Sequence, residues 1–260
     1  MDSYFYGVFP YLPVNKLEEV HGPIAKRFAR LLGYPVKLGS RPNYELFRNS
    51  VAEQAYDIIF IQPFGYIRAA AANGYIPVAR FISPGDTSFK GTISSQFVTL
   101  ADSDINHIDQ LRHHIVAMPS ADAAVSLLGI AYLKEHGLID GENLEIRFLD
   151  NHFSCLQQLV IHKASACASA LPAIRLFETS KDVKLNIIAI SHEIPSSLIA
   201  VHRRVPESQR RLLQDEIIHW HKTGEGKAIL ARARLLGFIE TSDKDYDAVR
   251  EIWRKLRENE

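Results

Sequence analysis

Cysteine is scarce in this sequence and does not form a recognisable pattern. The 260 residues include two cysteines, Cys155 and Cys167, twelve positions apart. This number excludes a disulfide-rich scaffold, and no Cys-x-x-Cys or Cys/His spacing typical of a zinc site occurs. The favoured interpretation is a pair of buried free thiols. A disulfide is the alternative, because sequence alone does not give the Cα–Cα distance that a bridge requires.

The chain also lacks an excess of charge and a long apolar segment. Lysine plus arginine and aspartate plus glutamate number 30 each, so the formal net charge is zero, which argues against general affinity for nucleic acid or an anionic membrane. No apolar run reaches the roughly eighteen residues of a membrane span. The start, Met1-Asp2-Ser3-Tyr4, has no basic stretch followed by an apolar one. The protein is therefore either cytosolic or has had an export leader removed.

Signatures of catalysis and of metal or cofactor binding are missing as well. No H-E-x-x-H, P-loop or G-x-G-x-x-G motif occurs, and neither His113-His114 nor His219/His221 has the helical spacing of metal ligands. His152 and Cys155 are three positions apart and could share a helix face. A Cys–His dyad also needs an activated thiol and an oxyanion pocket, which the sequence does not reveal. We predict a protein without enzymatic activity, metal or cofactor.

What the sequence does contain is a regular alternation of strand-like and helix-like segments. Leu17, Ile24 and Phe28 have helical spacing after an aromatic run at 4–10, and Gly33 stops that helix. One such series precedes the loop-forming segment at 83–91 and a second follows it. The predicted strands are 4–10, 35–38, 57–61, 75–80, 92–100, 115–118, 144–149, 164–168, 185–190 and 197–201, and the predicted helices are 17–32, 44–54, 63–72, 123–136, 153–161, 172–178, 207–223, 226–235 and 246–258.

This alternation predicts an α/β fold with parallel sheets and crossover helices, divided into two lobes. Lobe I comprises 1–85 plus 195–260, lobe II comprises 92–190, and the hinge crossings lie near 83–92 and 190–197. Two crossings are typical of a clamshell that closes on a ligand by hinge motion. Ligands of such folds bind in the cleft, at the carboxyl ends of strands and the amino ends of helices.

Short motifs in a fixed order carry a resemblance to a known family. They are GVFP at 7–10, LG at 32–33, Tyr44, DIIFIQPFGYIRA at 57–69, DSDI at 102–105 leading to Leu111, SHEIP at 191–195 and YDAVR at 246–250. In this set and order the chain resembles the periplasmic binding proteins of phosphate, phosphite and phosphonate ABC importers, the PhnD-like proteins. The motifs span nearly the whole chain. The resemblance implies a type II periplasmic-binding-protein clamshell, also called a venus flytrap.

The resemblance also implies a location and partners. Proteins of this family are exported, which favours the removed leader over a cytosolic protein. The expected partners are a small-molecule ligand and an ABC-transporter permease, with no nucleic acid, and we expect a monomer. The same module occurs as the sensory domain of membrane kinases and cyclases, which is the alternative function. An enzyme on the same fold is a further alternative.

The resemblance places several ligand contacts in this sequence. Tyr44 matches the family's pocket tyrosine and His152 its pocket histidine, while Phe89 stands where the family has a tyrosine in the first crossing. For Tyr44 the alternative is packing on a buried helix stripe. For His152 it is a helix N-cap or a satisfied surface histidine. Ser165 replaces the aspartate that the family usually has, which weakens an inference of an amine-bearing ligand.

The family's anion cradle is changed most. It is a Ser-Thr-Ser-Gly run that opens a helix, and it corresponds here to Ala121-Asp122-Ala123-Ala124 after Ser120. Hydroxyls and N–H groups at a helix start hold anions, whereas alanine has no hydroxyl and a carboxylate repels a phosphonate. Ser120, Ala121 and Asp122 are therefore predicted to line a site for a ligand other than a simple phosphonate. The alternative is that Asp122 only caps the helix.

Position along the predicted strands supplies the remaining candidates. Those that follow a strand of the first series or lie by the second crossing are Phe9, Tyr11, Gln62, Tyr66 and Ser196. Such positions commonly line a cleft. Aromatic rings there could stack on a flat or cationic ligand, with the carboxylate of the altered cradle as a counter-ion. An amine-containing or heterocyclic solute is the resulting hypothesis, and the alternative is that these rings only pack the lobes.

Overall fold

A computed structural model describes residues 3–12, 14–84, 86 and 88–258. Met1 and Asp2, which belong to the start of the sequence on which the prediction of a removed leader rests, lie outside the described residues. The chain divides into two compact units. Unit 1 comprises the chain up to Thr92 together with Pro195–Arg250, and unit 2 comprises Ile93–Ile194 together with the chain from Glu251.

Unit 1 contains a six-stranded sheet in the order β13-β4-β12-β3-β1-β2. Strand β1 is parallel to both of its neighbours, β2 and β3, whereas β12 is antiparallel to both β3 and β4, and β13 is antiparallel to β4. Their bounds are β1 Tyr4–Val8, β2 Val36–Gly39, β3 Ile58–Ile61, β4 Tyr75–Ile82, β12 Leu198–His202 and β13 Gly237–Glu240, and the helices are α1 Val14–Leu32, α2 Tyr44–Ala52, α3 Pro63–Gly65, α7 Glu207–Ile218, α8 Gly224–Ala233 and the start of α9 Asp247–Arg257.

Unit 2 contains a five-stranded sheet in the order β10-β6-β9-β7-β8. Within it β7, β8 and β9 are parallel, and β6 is antiparallel to both of its neighbours. The bounds are β6 Gln96–Leu100, β7 Ile115–Met118, β8 Glu145–Phe148, β9 Ala166–Ser169, β10 Leu185–Ile190, α4 Ala124–Glu135, α5 His152–Val160 and α6 Leu171–Lys181.

The boundaries between the units fall within two short strands. These are β5, Thr92–Ile93, and β11, Ile194–Pro195, which pair with each other. β11 lies inside the predicted crossing at 190–197, and β5 begins at the last residue of the crossing predicted at 83–92. The role of those crossings as hinges stays a prediction.

The structure corrects two details of the predicted organisation. The sheets are mixed rather than parallel, because β6 and β12, the strands of each sheet that first follow a crossing, run against their neighbours. The chain from Glu251 groups with unit 2, whereas the prediction assigned all of 195–260 to lobe I. Within unit 2, Lys134 Nζ donates a hydrogen bond to the carbonyl of Leu256, whose side chain is buried.

The cysteines also differ from the favoured interpretation. Cys155 on α5 and Cys167 on β9 form a disulfide, with their Cα atoms 6.1 Å apart. Both side chains are fully buried in a cluster that includes Leu156, Ile174 and Phe177. The interpretation as free thiols is therefore wrong, because strand β9 and helix α5 pack directly against each other at these two positions.

Candidate functional site

Aromatic side chains form a cluster at the carboxyl ends of strands β1 and β3. They are Phe9, Tyr11, Tyr44 and Phe60. The Phe9 ring lies at its centre, with centroids 4.9 Å from Tyr11, 5.9 Å from Tyr44 and 5.4 Å from Phe60. Tyr44 is placed there as the first residue of α2, whose N-cap Asn43 accepts a hydrogen bond from Leu46 N. Three of the predicted site residues therefore meet in one place.

A residue that the sequence analysis missed lies behind this cluster. The His21 imidazole lies 2.9 Å from the Tyr6 hydroxyl at Nδ1 and 2.8 Å from the Tyr11 hydroxyl at Nε2. Its ring centroid is 5.2 Å from that of Phe60, with the two planes tilted by 43°. Burial lowers the pKa of His21 to about 3, so the ring is neutral at neutral pH. A signal was available, since His21 continues the buried stripe of Leu17 and Ile24 at helical spacing.

Three other predicted site residues of unit 1 have structural partners instead. Gln62 caps α3, because its side-chain oxygen accepts a hydrogen bond from Phe64 N at 3.0 Å. Tyr66 is buried and donates a hydrogen bond to Asp243 at 2.6 Å. Ser196 is fully buried and donates to the Phe81 carbonyl at 2.6 Å. These contacts support a packing role for all three.

Phe89 lies on the loop before β5 and is 60% exposed, in the left-handed backbone region with φ 55°. Asp86, which the sequence analysis also missed, holds this loop. Its carboxylate accepts hydrogen bonds from the Ser88 hydroxyl and from the backbone N–H groups of Lys90, Gly91 and Thr92, at 2.5–3.3 Å. Burial raises the pKa of Asp86, but these donors outweigh it and the net pKa lies below its ordinary value.

Replacing Asp86 by asparagine is expected to lower the free energy of unfolding by about 1 to 2 kcal/mol. An amide offers one acceptor oxygen where a carboxylate offers two, and it loses the charge that strengthens each hydrogen bond. Urea unfolding followed by tryptophan fluorescence measures the change. Asp102→Asn, which alters an exposed aspartate, is the matched control. Equal stability of the two variants would contradict the role of Asp86 in holding the loop.

The carboxyl edge of the unit 2 sheet is formed by the starts of three helices, α4, α5 and α6, which follow β7, β8 and β9. Ser120, Ala121 and Asp122 form the turn that enters α4, and the side chains of Ser120 and Asp122 are half-buried. The backbone N–H of Ala123 donates to the Ser120 carbonyl at 2.8 Å, and the Ser126 hydroxyl donates to Pro119 at 3.0 Å. Two donors, one next to this turn and one in the first turn of α4, are therefore already engaged within the chain.

His152 is the first residue of α5 and is half-buried. Its Nδ1 lies 2.8 Å from the hydroxyl of Ser169, the last residue of β9, and burial lowers its pKa to about 4. The N-cap of α5 is Asn151, so the capping alternative for His152 is wrong. The disulfide leaves Cys155 without a thiol, which removes the Cys–His dyad.

The described ranges contain neither a cluster of metal ligands nor a membrane-spanning helix. No group of three or more His, Cys, Asp or Glu side chains is arranged to hold a metal ion in that part of the chain. No helix within the same ranges is long and apolar enough to cross a membrane.

Comparison with known protein families gives a match over most of the chain. The model of the family described as "ABC transporter, phosphonate, periplasmic substrate-binding protein" matches residues 6–246. A comparison with curated protein sequences finds no match.

Solved structures resemble the chain across nearly its full length. PhnD1 from Prochlorococcus marinus, in complex with methylphosphonate, has a TM-score of 0.83 at 17% identity, covering 98% of each chain. A binding protein component of an ABC phosphonate transporter from Pseudomonas aeruginosa has a TM-score of 0.78 at 16% identity, covering 96% of this chain and 85% of that one. A protein from Xanthomonas citri bound to ATP has a TM-score of 0.78 at 13% identity, covering 97% and 96%. The shared fold is that of two-lobed periplasmic solute-binding proteins.

Proposed function

Since this chain belongs to the family of periplasmic substrate-binding proteins of phosphonate ABC transporters, we propose that it binds a small polar solute with a cationic nitrogen or a flat ring, and not a simple phosphonate. The family is one of binding proteins that work with an ABC permease outside the cytoplasm, and it is not an enzyme family. Because its description names a transporter, the importer component is favoured over the sensory-domain alternative. The monomeric state and the removed leader stay predictions.

The observation that carries this proposal is the turn before α4. Alanines occupy two positions where a hydroxyl would bind an anion, and Asp122 adds a negative charge. At a separation of 4 Å and an effective dielectric constant of about 20, a carboxylate and one phosphonate charge repel by about 4 kcal/mol. The start of a helix stabilises an anion by only about 0.3 to 2 kcal/mol. If the ligand carries a cationic group instead, its interaction with the Asp122 carboxylate becomes attractive.

The aromatic cluster of unit 1 supports the second part of the proposal. The Phe9 ring is central to the cluster, and Tyr11 at its margin is 36% exposed. Aromatic faces bind cations and flat rings, with a strength of about 0.5 to 2 kcal/mol for a cation. Relatives in fold bind ligands as different as methylphosphonate and ATP, so the fold alone does not fix the ligand.

Thermal-shift screening of the purified protein tests the ligand class. The panel contains phosphate, phosphite, phosphonates, amines, amino acids and heterocycles. A specific ligand at 100 times its dissociation constant should stabilise the protein by about 2.7 kcal/mol, which raises the melting temperature by a few degrees. We expect hits among amines or heterocycles that Asp122→Asn weakens at least tenfold and Asp102→Asn leaves unchanged.

The opposite pattern would overturn the proposal. If methylphosphonate stabilises the wild-type protein and Asp122→Asn binds it with the same affinity, the altered cradle still accepts a phosphonate and the carboxylate does not select the ligand.

A further inference from the structure

The hydrogen-bonded chain Tyr6–His21–Tyr11 connects the core of unit 1 to the aromatic cluster. Tyr6 is fully buried and His21 is 2% exposed, whereas Tyr11 is 36% exposed. The two hydroxyls lie on opposite nitrogens of one imidazole, Tyr6 at Nδ1 and Tyr11 at Nε2. The chain therefore has a buried end and an end at the surface of the cluster.

A neutral imidazole fixes the direction of the two hydrogen bonds relative to each other. It has one N–H that donates and one nitrogen that accepts. One tyrosine must therefore donate its proton to His21, and the other must accept the proton of His21. Burial, which keeps the ring uncharged at neutral pH, excludes the arrangement in which both ring nitrogens donate.

Burial decides which tyrosine donates. If Tyr6 accepted from Nδ1, its own O–H would be a donor enclosed in the core, and a buried donor without an acceptor costs about 1 to 3 kcal/mol. Tyr11 is 36% exposed as a residue, so its O–H is less enclosed than that of Tyr6, and directing it away from His21 costs less. Hence Tyr6 donates to Nδ1, Nε2–H donates to the Tyr11 oxygen, and the Tyr11 proton is directed away from His21.

We propose that the Tyr11 hydroxyl is a hydrogen-bond donor to an oxygen atom of the ligand, and that Tyr6 and His21 fix its direction. This inference rests on the proposed function and adds to it a second recognition element, an oxygen acceptor such as a carboxylate or carbonyl. Tyr11 suits the role because burial, with a further contribution from Tyr44, raises the pKa of its hydroxyl and keeps it protonated. The complete ligand carries a cation or flat ring together with an oxygen acceptor.

The tautomer of His21 tests the direction of the chain without any ligand. Long-range ¹H–¹⁵N correlation spectra of protein with ¹⁵N-labelled histidine, recorded at pH 7.5, distinguish the protonated ring nitrogen from the unprotonated one. The signals of His21 are assigned as those that disappear in His21→Gln. The expected result is protonated Nε2 in the wild type, unchanged in Tyr11→Phe. Protonated Nδ1 would overturn the inference, because Tyr11 would then be donating into the core.

Titration with a matched pair of cations tests the oxygen contact. Glycine betaine carries a carboxylate, and tetramethylammonium does not. In isothermal titration, Tyr11→Phe should lower the affinity for glycine betaine about tenfold and leave that for tetramethylammonium unchanged. Tyr34→Phe, which alters an exposed tyrosine of the same unit, should change neither. Equal affinity of Tyr11→Phe and wild type for glycine betaine would overturn the inference. Failure of both cations to bind the wild type would contradict the cationic form of the proposed ligand, and the tautomer result would then decide the direction of the chain.

Discussion

Removing the Cys155–Cys167 disulfide is expected to lower the free energy of unfolding by about 3 kcal/mol. The bond closes a loop with a sequence separation of 12, and a loop of about 15 residues corresponds to roughly 3 kcal/mol of lost chain entropy in the unfolded state. The loop joins α5 to β9 across the core of unit 2, so its release loosens both elements together. Urea unfolding of Cys155→Ala/Cys167→Ala, compared with the oxidised wild type, measures the loss.

A second comparison separates the covalent bond from the packing of the sulfur atoms. Wild-type protein unfolded and refolded with a reducing agent keeps both sulfurs in the core but lacks the bond. Its stability should fall close to that of the double alanine variant, which loses additional buried volume. If reduced and oxidised wild type unfold at the same urea concentration, the disulfide does not stabilise the fold. Affinity for the ligand at low temperature should be the same in all three proteins.

Local pattern was sufficient for most of the secondary structure. The apolar stripe and Gly33 predicted α1, and Gly33 does end it, with φ 73° and its N–H bonded to the Ala29 carbonyl. Strands 115–118 and 185–190 were predicted with the bounds that the structure has. Strand β13, with the sequence GFIE, was missed because it has two apolar residues between a glycine and a glutamate, whereas the equally short β7, IVAM, is apolar throughout.

Strand direction was not predictable in the same way. The apolar pattern of β12 predicts that the strand is buried, but not that it pairs antiparallel with β3, a strand more than a hundred residues earlier. The direction of a strand depends on where the chain enters the sheet after a crossing, and this depends on the fold of the whole chain and not on local sequence. The grouping of the chain from Glu251 with unit 2 likewise depends on contacts with residues distant in sequence.

Site residues were predictable from strand ends and from the family resemblance. Phe9 and Tyr11 were predicted by position and Tyr44 by the resemblance, and the three do meet in one cluster. Tyr66 also follows a strand of the first series, but its hydroxyl donates a hydrogen bond to Asp243, 177 residues later. Local sequence does not predict a contact over that separation. His21 was not predicted because a histidine on an apolar helix stripe indicates only a buried position. Its place in the site depends on the hydrogen bonds with Tyr6 and Tyr11, which the helical pattern does not predict.

Acidification is expected to destabilise the protein through His21, by about 2 kcal/mol between pH 7.5 and pH 5. In the unfolded chain its pKa has the ordinary value of 6.5, whereas in the folded protein burial lowers the pKa to about 3. Between these values the unfolded state binds more protons. The contribution of His21 is therefore complete above about pH 6.5 and is lost as the pH falls toward 3. Urea unfolding at the two pH values measures the difference.

The variant His21→Gln separates this effect from other titrating groups. Glutamine does not titrate, so the loss of stability between pH 7.5 and pH 5 should shrink by about 2 kcal/mol, even if the variant is less stable at both. His152, whose pKa burial lowers to about 4, acts in the same direction and remains in the variant. His221→Gln, which removes an exposed imidazole, should keep the wild-type dependence. If His21→Gln also shows the wild-type loss of stability between the two pH values, the fold does not hold the imidazole between Tyr6 and Tyr11 in its neutral form. The argument that a neutral ring directs the Tyr11 proton toward the ligand would then be wrong.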